Sequence, residues 1–336
     1  MATSKAAIDL LRMANGYWLS QALYAAARLK IADFLKGGPK TAEELGELAN
    51  VHAPSLFRLL RALAGAGVFR FEEGSFGLTE RSDLLRDDSP CSLRAMVLYH
   101  GEPWHWGPWG NLLETVRTGM PAFETFHGLH LFQFLEEKPE AADLFHRAMN
   151  AFTARVTQAV VEAYDFSAFS SLLDVGGGEG ALLCEILRKY PFLRGRLLDR
   201  PLALKKAREK SVAGGFESRL ETTAGDFFEE VPSGGDLYLL CQVLHDWDDE
   251  RACRILAACR RALGEKGVLL VIETVIPPAK ALSLGKLIDL EMMVMTPGGR
   301  ERSREEFEAL LEKAGLYLRR VLPTASPVSL LEAVKA

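Results

Sequence analysis

Residues 172–180, Leu-Leu-Asp-Val-Gly-Gly-Gly-Glu-Gly, join a short apolar run to a glycine-rich turn, and a helical pattern begins at Ala181. Glycines here let the backbone approach a ligand closely, and the start of the following helix favours anionic or polar groups. The turn lacks the Gly-Lys-Ser/Thr of a phosphate-binding loop, which excludes a nucleoside triphosphatase. Asp199 follows Gly178 by 21 residues, where an acid that binds ribose hydroxyls is expected. The stretch predicts a nucleoside-binding fold, and its Gly-x-Gly-x-x-Ala pattern from Gly176 leaves a nicotinamide cofactor open.

Around this turn, short apolar runs alternate with amphipathic helical stretches. This alternation is typical of a parallel sheet with helices on both faces. Two closing runs, residues 316–322 and 328–334, are joined by a short segment that begins and ends with proline, so we expect the last strand to run antiparallel. The earlier runs are residues 172–175, 195–199, 220–224, 236–241 and 268–273.

The first 95 residues are helical in pattern, with one hairpin. Thr41-Ala-Glu-Glu is a capping box that opens a short helix, and Pro54 lies in the first turn of the next one. Residues 68–78 then form two short apolar runs around a turn, which completes the outline of a winged helix. Residues 1–100 carry 12 basic and 11 acidic side chains, a balance that argues against a DNA-binding surface.

Length and composition are those of a globular protein with more than one core. The 336 residues are about twice the length of a usual domain. The net charge of −5 argues against a nucleic-acid partner, and the longest uncharged stretch, residues 13–27, is too short to span a membrane. Five cysteines without a Cys-x-x-Cys pair indicate reduced thiols and a cytoplasmic location. We expect domains at 1–95 and 166–336, bridged by a helical segment at 96–165 that contributes to the substrate pocket.

Two further features follow the third and fourth predicted strands of the sheet. Asp226 and Phe227 come just after a strand end, and such a pair can accept from an exocyclic amine and cover a purine face. His245 follows the fourth strand in Gln-Val-Leu-His-Asp-Trp, at the mouth of an open sheet, where such folds bind ligands. Both features favour an adenine-containing cofactor beside a titratable side chain.

The sequence resembles the S-adenosylmethionine-dependent O-methyltransferases that act on small molecules, the plant caffeate and flavonoid enzymes and their bacterial natural-product relatives. The matching blocks, in the family order over roughly 172–316, are LLDVGGGEG, LLDRP, GDFF, QVLHDWDDE, VLLVIETVIP and DLEMMVMTPGGRERSREEFEALLEKAGL. The helical start resembles the family's dimerisation domain. The resemblance implies an α/β fold, in which a winged-helix-like dimerisation domain precedes a Rossmann-like parallel sheet, and a homodimer.

The resemblance also implies that S-adenosylmethionine binds around the glycine turn and the next strand ends. Asp199 would bind the ribose hydroxyls, and Asp226 and Phe227 would contact the adenine. Gln242 stands where relatives often carry a basic residue, and its amide can still form a hydrogen bond. The implied cofactor set is Gly176, Gly178, Asp199, Asp226, Phe227 and Gln242.

His245 is the candidate general base. Methyl transfer to a phenol requires removal of a proton with an ordinary pKa of about 10, and a neutral imidazole suits that task. Glu273 and Glu301 match the acids that flank this base in the family, and one of them would orient the ring. This chemistry requires no metal, and we expect none. Asp246 has two open roles, contact with the acceptor or the cap of a helix that begins near Asp248.

The acceptor is expected to be a phenolic or aromatic-polyketide-like small molecule. The segments that contact it in relatives contain Met149, Phe152, Asp289, Met292 and Met293. Methionines provide adaptable apolar walls for a flat ring, and they are equally consistent with plain helix core.

Three other functions fit parts of the sequence. One is a relative that has lost methyl transfer or performs hydroxylation or decarboxylation, and the intact set of His245, Glu273 and Glu301 argues against it. The second is a winged-helix regulator that senses a nucleotide-like ligand, which the neutral N-terminal third weakens. The third is a nicotinamide oxidoreductase, which leaves the His-Asp-Trp sequence unexplained.

Overall fold

The computed structural model describes residues 4–278 and 282–336 and divides into two compact units. The N-terminal unit comprises the described residues of Met1–Gly110 together with Leu135–Phe152. The sheet unit comprises Asn111–Phe134 and the described residues of Thr153–Ala336. The segment 96–165 therefore contributes residues to both units.

The N-terminal unit consists of short helices around one hairpin. Its elements are α1 Lys5–Ala14, α2 Gly16–Arg28, α3 Ile31–Phe34, α4 Ala42–Ala49, α5 Ala53–Gly65, β1 Phe69–Glu72, β2 Ser75–Leu78, α6 Glu80–Asp83, α7 Arg94–Gly101 and α8 Pro103–Trp109. The predicted capping box is confirmed, because Thr41 Oγ1 accepts from the Glu44 N–H while the Glu44 carboxylate accepts from the Thr41 N–H. Helices α4 and α5 followed by the antiparallel β1–β2 hairpin give the predicted winged-helix order.

The sheet unit alternates helices and strands, as predicted. Its elements are α9 Leu112–Thr118, α10 Ala122–His127, α11 Leu131–Glu137, α12 Pro139–Ala163, β3 Ser171–Val175, α13 Ala181–Lys189, β4 Arg194–Asp199, α14 Pro201–Gly214, β5 Leu220–Ala224, β6 Leu237–Cys241, α15 Asp249–Ala262, β7 Val268–Ile276, α16 Leu284–Met295, β8 Arg302–Ser303, α17 Arg304–Lys313, β9 Leu316–Pro323 and β10 Val328–Lys335. Helices α11 and α12 each contribute residues to both units. The first seven residues of β7 are buried, as expected for a strand covered on both faces.

The strand order of the large sheet explains where its site lies. The order is β5-β4-β3-β6-β7-β10-β9, with parallel pairing from β5 to β7. Strand β10 pairs antiparallel with both neighbours, which confirms the predicted reversal of the last strand. Because β3 is followed in sequence by β4 on one side and flanked by β6 on the other, the strand order reverses at β3, and ligands bind at the carboxyl edge of such a point.

One pairing was not predicted. The two-residue strand β8 runs parallel to the end of β7, with Val275 opposite Arg302 and Ile276 opposite Ser303. This pairing brings the Gly-Gly-Arg-Glu-Arg segment to the carboxyl edge of the sheet.

None of the helices in the described parts of the chain combines the length and the apolar character needed to cross a membrane.

Helices α2 and α7 of the N-terminal unit pack so closely that glycine is required at the contact. A Cβ atom on Gly101 would lie 2.5 Å from Cβ of Tyr24 and closer still to the ring. We expect Gly101→Ala to lower the free energy of unfolding by about 1–3 kcal/mol, because the Tyr24 Cβ cannot move without its helix. Urea unfolding measures the change.

The matched control is Gly65→Ala at the end of α5, where an added Cβ meets nothing within 4 Å. We expect this substitution to leave stability unchanged or raise it by about 0.5–1 kcal/mol. Equal stability of both variants would contradict the described α2–α7 packing.

Candidate active site

The glycine turn lies at the carboxyl end of β3 and adopts backbone conformations that other residues rarely tolerate. Gly176 and Gly178 have φ angles of 72° and 61°. An added Cβ at Gly176 would lie 3.2 Å from both the Phe227 ring and the Val243 side chain. The turn therefore contacts the segments that follow β5 and β6, which brings Phe227 beside it.

Asp199 at the end of β4 is bound to the same turn. The Gly178 N–H donates to Asp199 Oδ2 at 2.7 Å, and the Arg200 N–H donates to Oδ1 at 2.6 Å. Burial raises the pKa of Asp199, although both N–H donors oppose the rise. Asp226 is half-buried, and its Oδ1 accepts from the Phe228 N–H at 2.8 Å.

Gln242 has a role that its sequence position did not indicate. Its φ angle is 55°, in the left-handed region, and its side-chain amide donates to Glu273 Oε2 at 2.9 Å. In this structure the amide is thus engaged with the carboxylate beside His245.

The buried carboxylate of Glu273, three residues before the end of β7, organises the chain that follows β6. Its Oε1 accepts from the N–H groups of Val243 and Leu244 at 2.9 and 2.8 Å. Its Oε2 lies 3.0 Å from Nδ1 of His245, without hydrogen-bond alignment, and accepts from Gln242. Glu273 therefore fixes both the backbone turn and the imidazole.

His245 is largely buried among three carboxylates, with 14% of its side chain exposed. Its Nδ1 lies 3.6 Å from Glu301 Oε1, and its Nε2 lies 3.4 Å from Asp246 Oδ1. Burial alone would lower the pKa of His245, but Glu273, Asp246 and Glu301 outweigh it and raise the pKa to about 10. The ring is a strong base once it is neutral.

Glu301 is buried, and neither of its carboxylate oxygens has a hydrogen-bond partner. Burial raises its pKa, His245 opposes the rise, and Glu273 and Asp289 add to it. Asp289 on α16 also accepts from the Glu301 N–H at 2.9 Å. One nitrogen or oxygen atom from each of His245, Glu273 and Glu301 lies within 4.8 Å of the others, a spacing that also suits a metal ion, so the expectation of a metal-free site stays a prediction.

The capping role considered for Asp246 is wrong. Asp248 caps α15, with its Oδ1 accepting from the Arg251 N–H at 2.8 Å. Asp246 lies in a single 3-10 turn with His245 and points its carboxylate toward the imidazole.

The proposed acceptor residues belong to different units. Asp289, Met292 and Met293 are half-buried on α16 of the sheet unit. Met149 packs against a core cluster of the N-terminal unit, and Phe152 is half-buried in the same unit. Their roles stay predictions.

The role of Arg302, on β8, was not predicted from the sequence. Its side chain is 1% exposed and donates to the main-chain carbonyls of Leu244 and Trp247 at 2.9 and 2.8 Å. It also donates twice to Asp249 Oδ1 at the start of α15. Arg302 therefore holds the carbonyls of the His245 turn while Glu273 holds its N–H groups. The only signal in the sequence is its position directly after Glu301.

The fold and these side chains define an α/β enzyme with a nucleoside-binding turn and a buried histidine–carboxylate cluster at one sheet edge. The family models for the O-methyltransferase domain and the O-methyltransferase dimerisation domain match residues 109–317 and 11–88. The chain therefore belongs to the S-adenosylmethionine-dependent O-methyltransferase family. This membership excludes the nicotinamide alternative and shows an enzyme rather than a regulator.

Individual relatives match almost the whole chain. The phenazine O-methyltransferase PhzM of Lysobacter antibioticus is 44% identical over 325 residues, which are 96% of this chain and 95% of that protein. The solved structure of CalO1, a methyltransferase of calicheamicin biosynthesis with S-adenosylhomocysteine bound, has a TM-score of 0.90, 35% identity and complete coverage of both chains. NcsB1 of neocarzinostatin biosynthesis, solved with S-adenosylmethionine and 2-hydroxy-5-methyl naphthoic acid, has a TM-score of 0.79 and 34% identity, covering 94% of this chain and 96% of its own.

Substitution of Arg302 tests whether its hydrogen bonds to the carbonyls of Leu244 and Trp247 stabilise the His245 turn. We expect Arg302→Met to lower the free energy of unfolding by about 2–4 kcal/mol, because two buried carbonyls lose their donor. The control is Arg304→Met, which removes an exposed ion pair with Glu308 and should change stability by less than about 0.5 kcal/mol. Urea unfolding measures the free energy of unfolding of both variants, and a similar decrease in the two would show that the Arg302 hydrogen bonds do not stabilise the His245 turn.

Proposed function

We propose that this enzyme transfers a methyl group from S-adenosylmethionine to a hydroxyl of a phenolic or aromatic-polyketide-like small molecule, with His245 as the general base. The observation that carries the proposal is the geometry around that ring. His245 lies beside buried carboxylates of Glu273 and Glu301, at the sheet edge that also bears the glycine turn.

The pKa of His245 suits a phenol. A phenolic hydroxyl has an ordinary pKa of about 10, which matches the raised pKa of about 10 for the imidazole. A proton can therefore move between the two groups with little free-energy difference. The carboxylate of Glu273 stabilises the imidazolium that results, since it faces Nδ1 at 3.0 Å.

The same raised pKa keeps the ring protonated in the empty protein at neutral pH. When bound, the cofactor supplies an electrophilic methyl group and a positive sulfonium charge, which favours the neutral imidazole. His245 would then accept the phenolic proton, and the neighbouring acids would hold the ring in place.

The residues of the glycine turn and the adjacent loops are suited to hold this cofactor. Gly176 packs closely against Phe227, Gly178 leaves open space at the turn because an added Cβ there would meet nothing within 4 Å, and Asp199 is an acceptor bound to the Gly178 N–H. Asp226 and Phe227 would contact the adenine, since the Phe227 ring lies beside Gly176. Gln242 would contribute to cofactor binding, either through a hydrogen bond from its own amide or by holding the Glu273 carboxylate to which that amide donates.

The acceptor class is supported by the relatives named above, which act on phenazines or bind a naphthoic acid. Met149, Phe152, Met292 and Met293 would provide apolar contacts, and Asp246 and Asp289 would provide polar ones. The sequence predictions of no nucleic-acid partner and a cytoplasmic location stay untested.

We propose that the functional form is a homodimer. Helices α1 and α2 expose large apolar side chains, which a partner subunit would cover. The dimerisation-domain match begins within α1. The exposed residues are Ile8, Leu10, Leu11, Met13, Tyr17, Trp18 and Leu19.

The role of His245 is testable with a labelled-methyl assay on a panel of phenols. We expect His245→Ala to lower turnover by at least about 100-fold, because the base is lost. Binding of S-adenosylhomocysteine, measured by calorimetry, should stay near wild type. The control His52→Ala changes an exposed histidine of the N-terminal unit and should keep full turnover. Unchanged turnover in His245→Ala would refute the base.

Glu301 is expected to act through His245, which a pH profile can detect. The active, neutral ring is present above its pKa, so kcat/KM should rise with pH toward that value. Glu301→Gln removes a negative charge 3.6 Å from Nδ1, lowers the pKa of His245 and should move the rising limb about one pH unit lower. Glu312→Gln, an exposed control, should leave the profile in place, and an unmoved limb in Glu301→Gln would contradict the role.

A further inference from the structure

The backbone of Gln242 is strained, and both of its N–H donors are directed to the strand that carries Glu273. The φ angle of Gln242 is 55°, in the left-handed region that residues other than glycine rarely adopt. Its main-chain N–H donates to the Ile272 carbonyl at 3.0 Å, and its side-chain amide donates to Glu273 Oε2 at 2.9 Å. Strain of this kind persists only where the surrounding contacts over-determine it, and it is common in active sites. The two hydrogen bonds to β7 therefore hold the amide against the carboxylate.

Oxygen Oε2 of Glu273 has the Gln242 amide and the His245 imidazole as neighbours. Its distances to the amide nitrogen and to Nδ1 are 2.9 and 3.0 Å. The carboxylate is completely buried, and its other oxygen accepts from the N–H groups of Val243 and Leu244, so it cannot turn away without losing those bonds. A donor on a carboxylate oxygen stabilises the negative charge and weakens its pull on a neighbouring proton. The side chain at position 242 therefore controls how strongly Oε2 acts on the imidazole.

The charged groups that face the imidazole are acids on its own turn, on β7 and beside β8. They are Asp246, Glu273 and Glu301 respectively. Asp289 on α16 acts through Glu301, whose pKa it raises. The buried cation Arg302 donates to main-chain carbonyls and to Asp249. A substitution of Gln242 therefore changes the field at the ring without removing any of these charges.

We propose that Gln242 is a positioning residue, which holds Glu273 Oε2 beside His245 and sets the strength of the base, and thereby determines which hydroxyl groups the enzyme deprotonates. This inference rests on the role of His245 proposed above. A neutral amide leaves most of the Glu273 charge to the imidazolium, so the ring is a strong base once it is neutral. Such a base suits a hydroxyl of ordinary phenolic acidity. A cationic side chain at the same position would weaken the base and favour more acidic phenols.

Two substitutions that act in opposite directions test this role. Gln242→Arg places a positive charge beside Oε2, which lowers the pKa of His245, and the rising limb of kcat/KM should move about one pH unit lower. Gln242→Met removes the donor and keeps the length of the side chain, so the limb should move about half a pH unit higher. The assay uses saturating S-adenosylmethionine and one phenol, whose own ionisation is the same for every variant. A merely structural role would lower activity at every pH and leave both limbs in place.

Titration of the imidazole gives a readout that does not require activity. In ¹⁵N NMR of the empty protein, His245 should titrate at about 10 in wild type. In Gln242→Arg the resonance should titrate about one pH unit lower. Gln242→Met changes no charge, so its pH profile decides the result if Gln242→Arg does not fold.

The choice of acceptor gives a third readout. Wild type and Gln242→Arg are compared on phenols of graded acidity in the labelled-methyl assay. With phenols near the ordinary pKa of about 10, the variant should lose at least about threefold in kcat relative to its performance with strongly acidic phenols. A ratio of variant to wild type that is independent of phenol acidity would overturn the effect on acceptor choice.

The matched control is Gln158 on α12, an exposed glutamine whose amide also donates to a glutamate, Glu162. Gln158→Arg and Gln158→Met should keep the pH profile of wild type. If neither Gln242 variant moves the limb or the His245 resonance while His245→Ala is inactive, the role of Gln242 alone is overturned. Unchanged turnover in His245→Ala would instead refute the proposed base, and the NMR titration would still show whether Gln242 controls the ring.

Discussion

Three hydrogen-bond donors and one imidazole nitrogen surround the carboxylate of Glu273, and the rest of the site depends on this arrangement. Strands β6 and β7 are parallel neighbours, so their carboxyl ends meet at one edge of the sheet. Glu273 follows Ile272, which pairs with Cys241 at the end of β6, and its carboxylate can therefore accept from the N–H groups of Val243 and Leu244 just after β6. This contact directs the chain into the turn that carries His245. The buried acid thus sets both the position of the imidazole and its charge.

The charge balance of the site follows from the same burial. Three acids lie around the His245 imidazole. The buried cation Arg302 donates instead to carbonyl groups and to Asp249. Carboxyl groups held out of water bind protons more tightly, and the pKa values of Glu301 and Asp174 are both raised. A positive charge on a ligand would stabilise the ionised form of these buried acids, so the site is suited to a cationic ligand. Methyl transfer to a phenol also produces a proton, which such a site can accept.

Much of the sheet was predictable because its signals are local. Apolar runs such as 172–175 and 268–273 are long enough to identify buried strands, and the short junction 323–327 requires the last strand to reverse. The capping box at Thr41 is likewise a local pattern. The prediction that His245 lies beside Glu273 and Glu301 came from the resemblance to the family, because the three residues are distant in sequence.

The features that escaped prediction depend on tertiary contacts. Arg302 acts only because β8 pairs with the end of β7, and a two-residue strand leaves no periodic signal. Asp246 and Asp248 are equally good helix caps in sequence, and the 3-10 turn decides between them. Gln242 could not be placed against Glu273, because its left-handed backbone is imposed by its surroundings.

The carboxylates around His245 raise the pKa of its imidazole so far that the ring is protonated at neutral pH in the empty enzyme, and this is the central claim. The most direct measurement is a pH titration by NMR of protein labelled with ¹⁵N at its seven histidines, with His245→Gln identifying the resonance. The structure predicts an imidazole that stays protonated up to pH 8 and titrates near 10. A His245 resonance that titrates near the ordinary value of 6.5 would contradict this account.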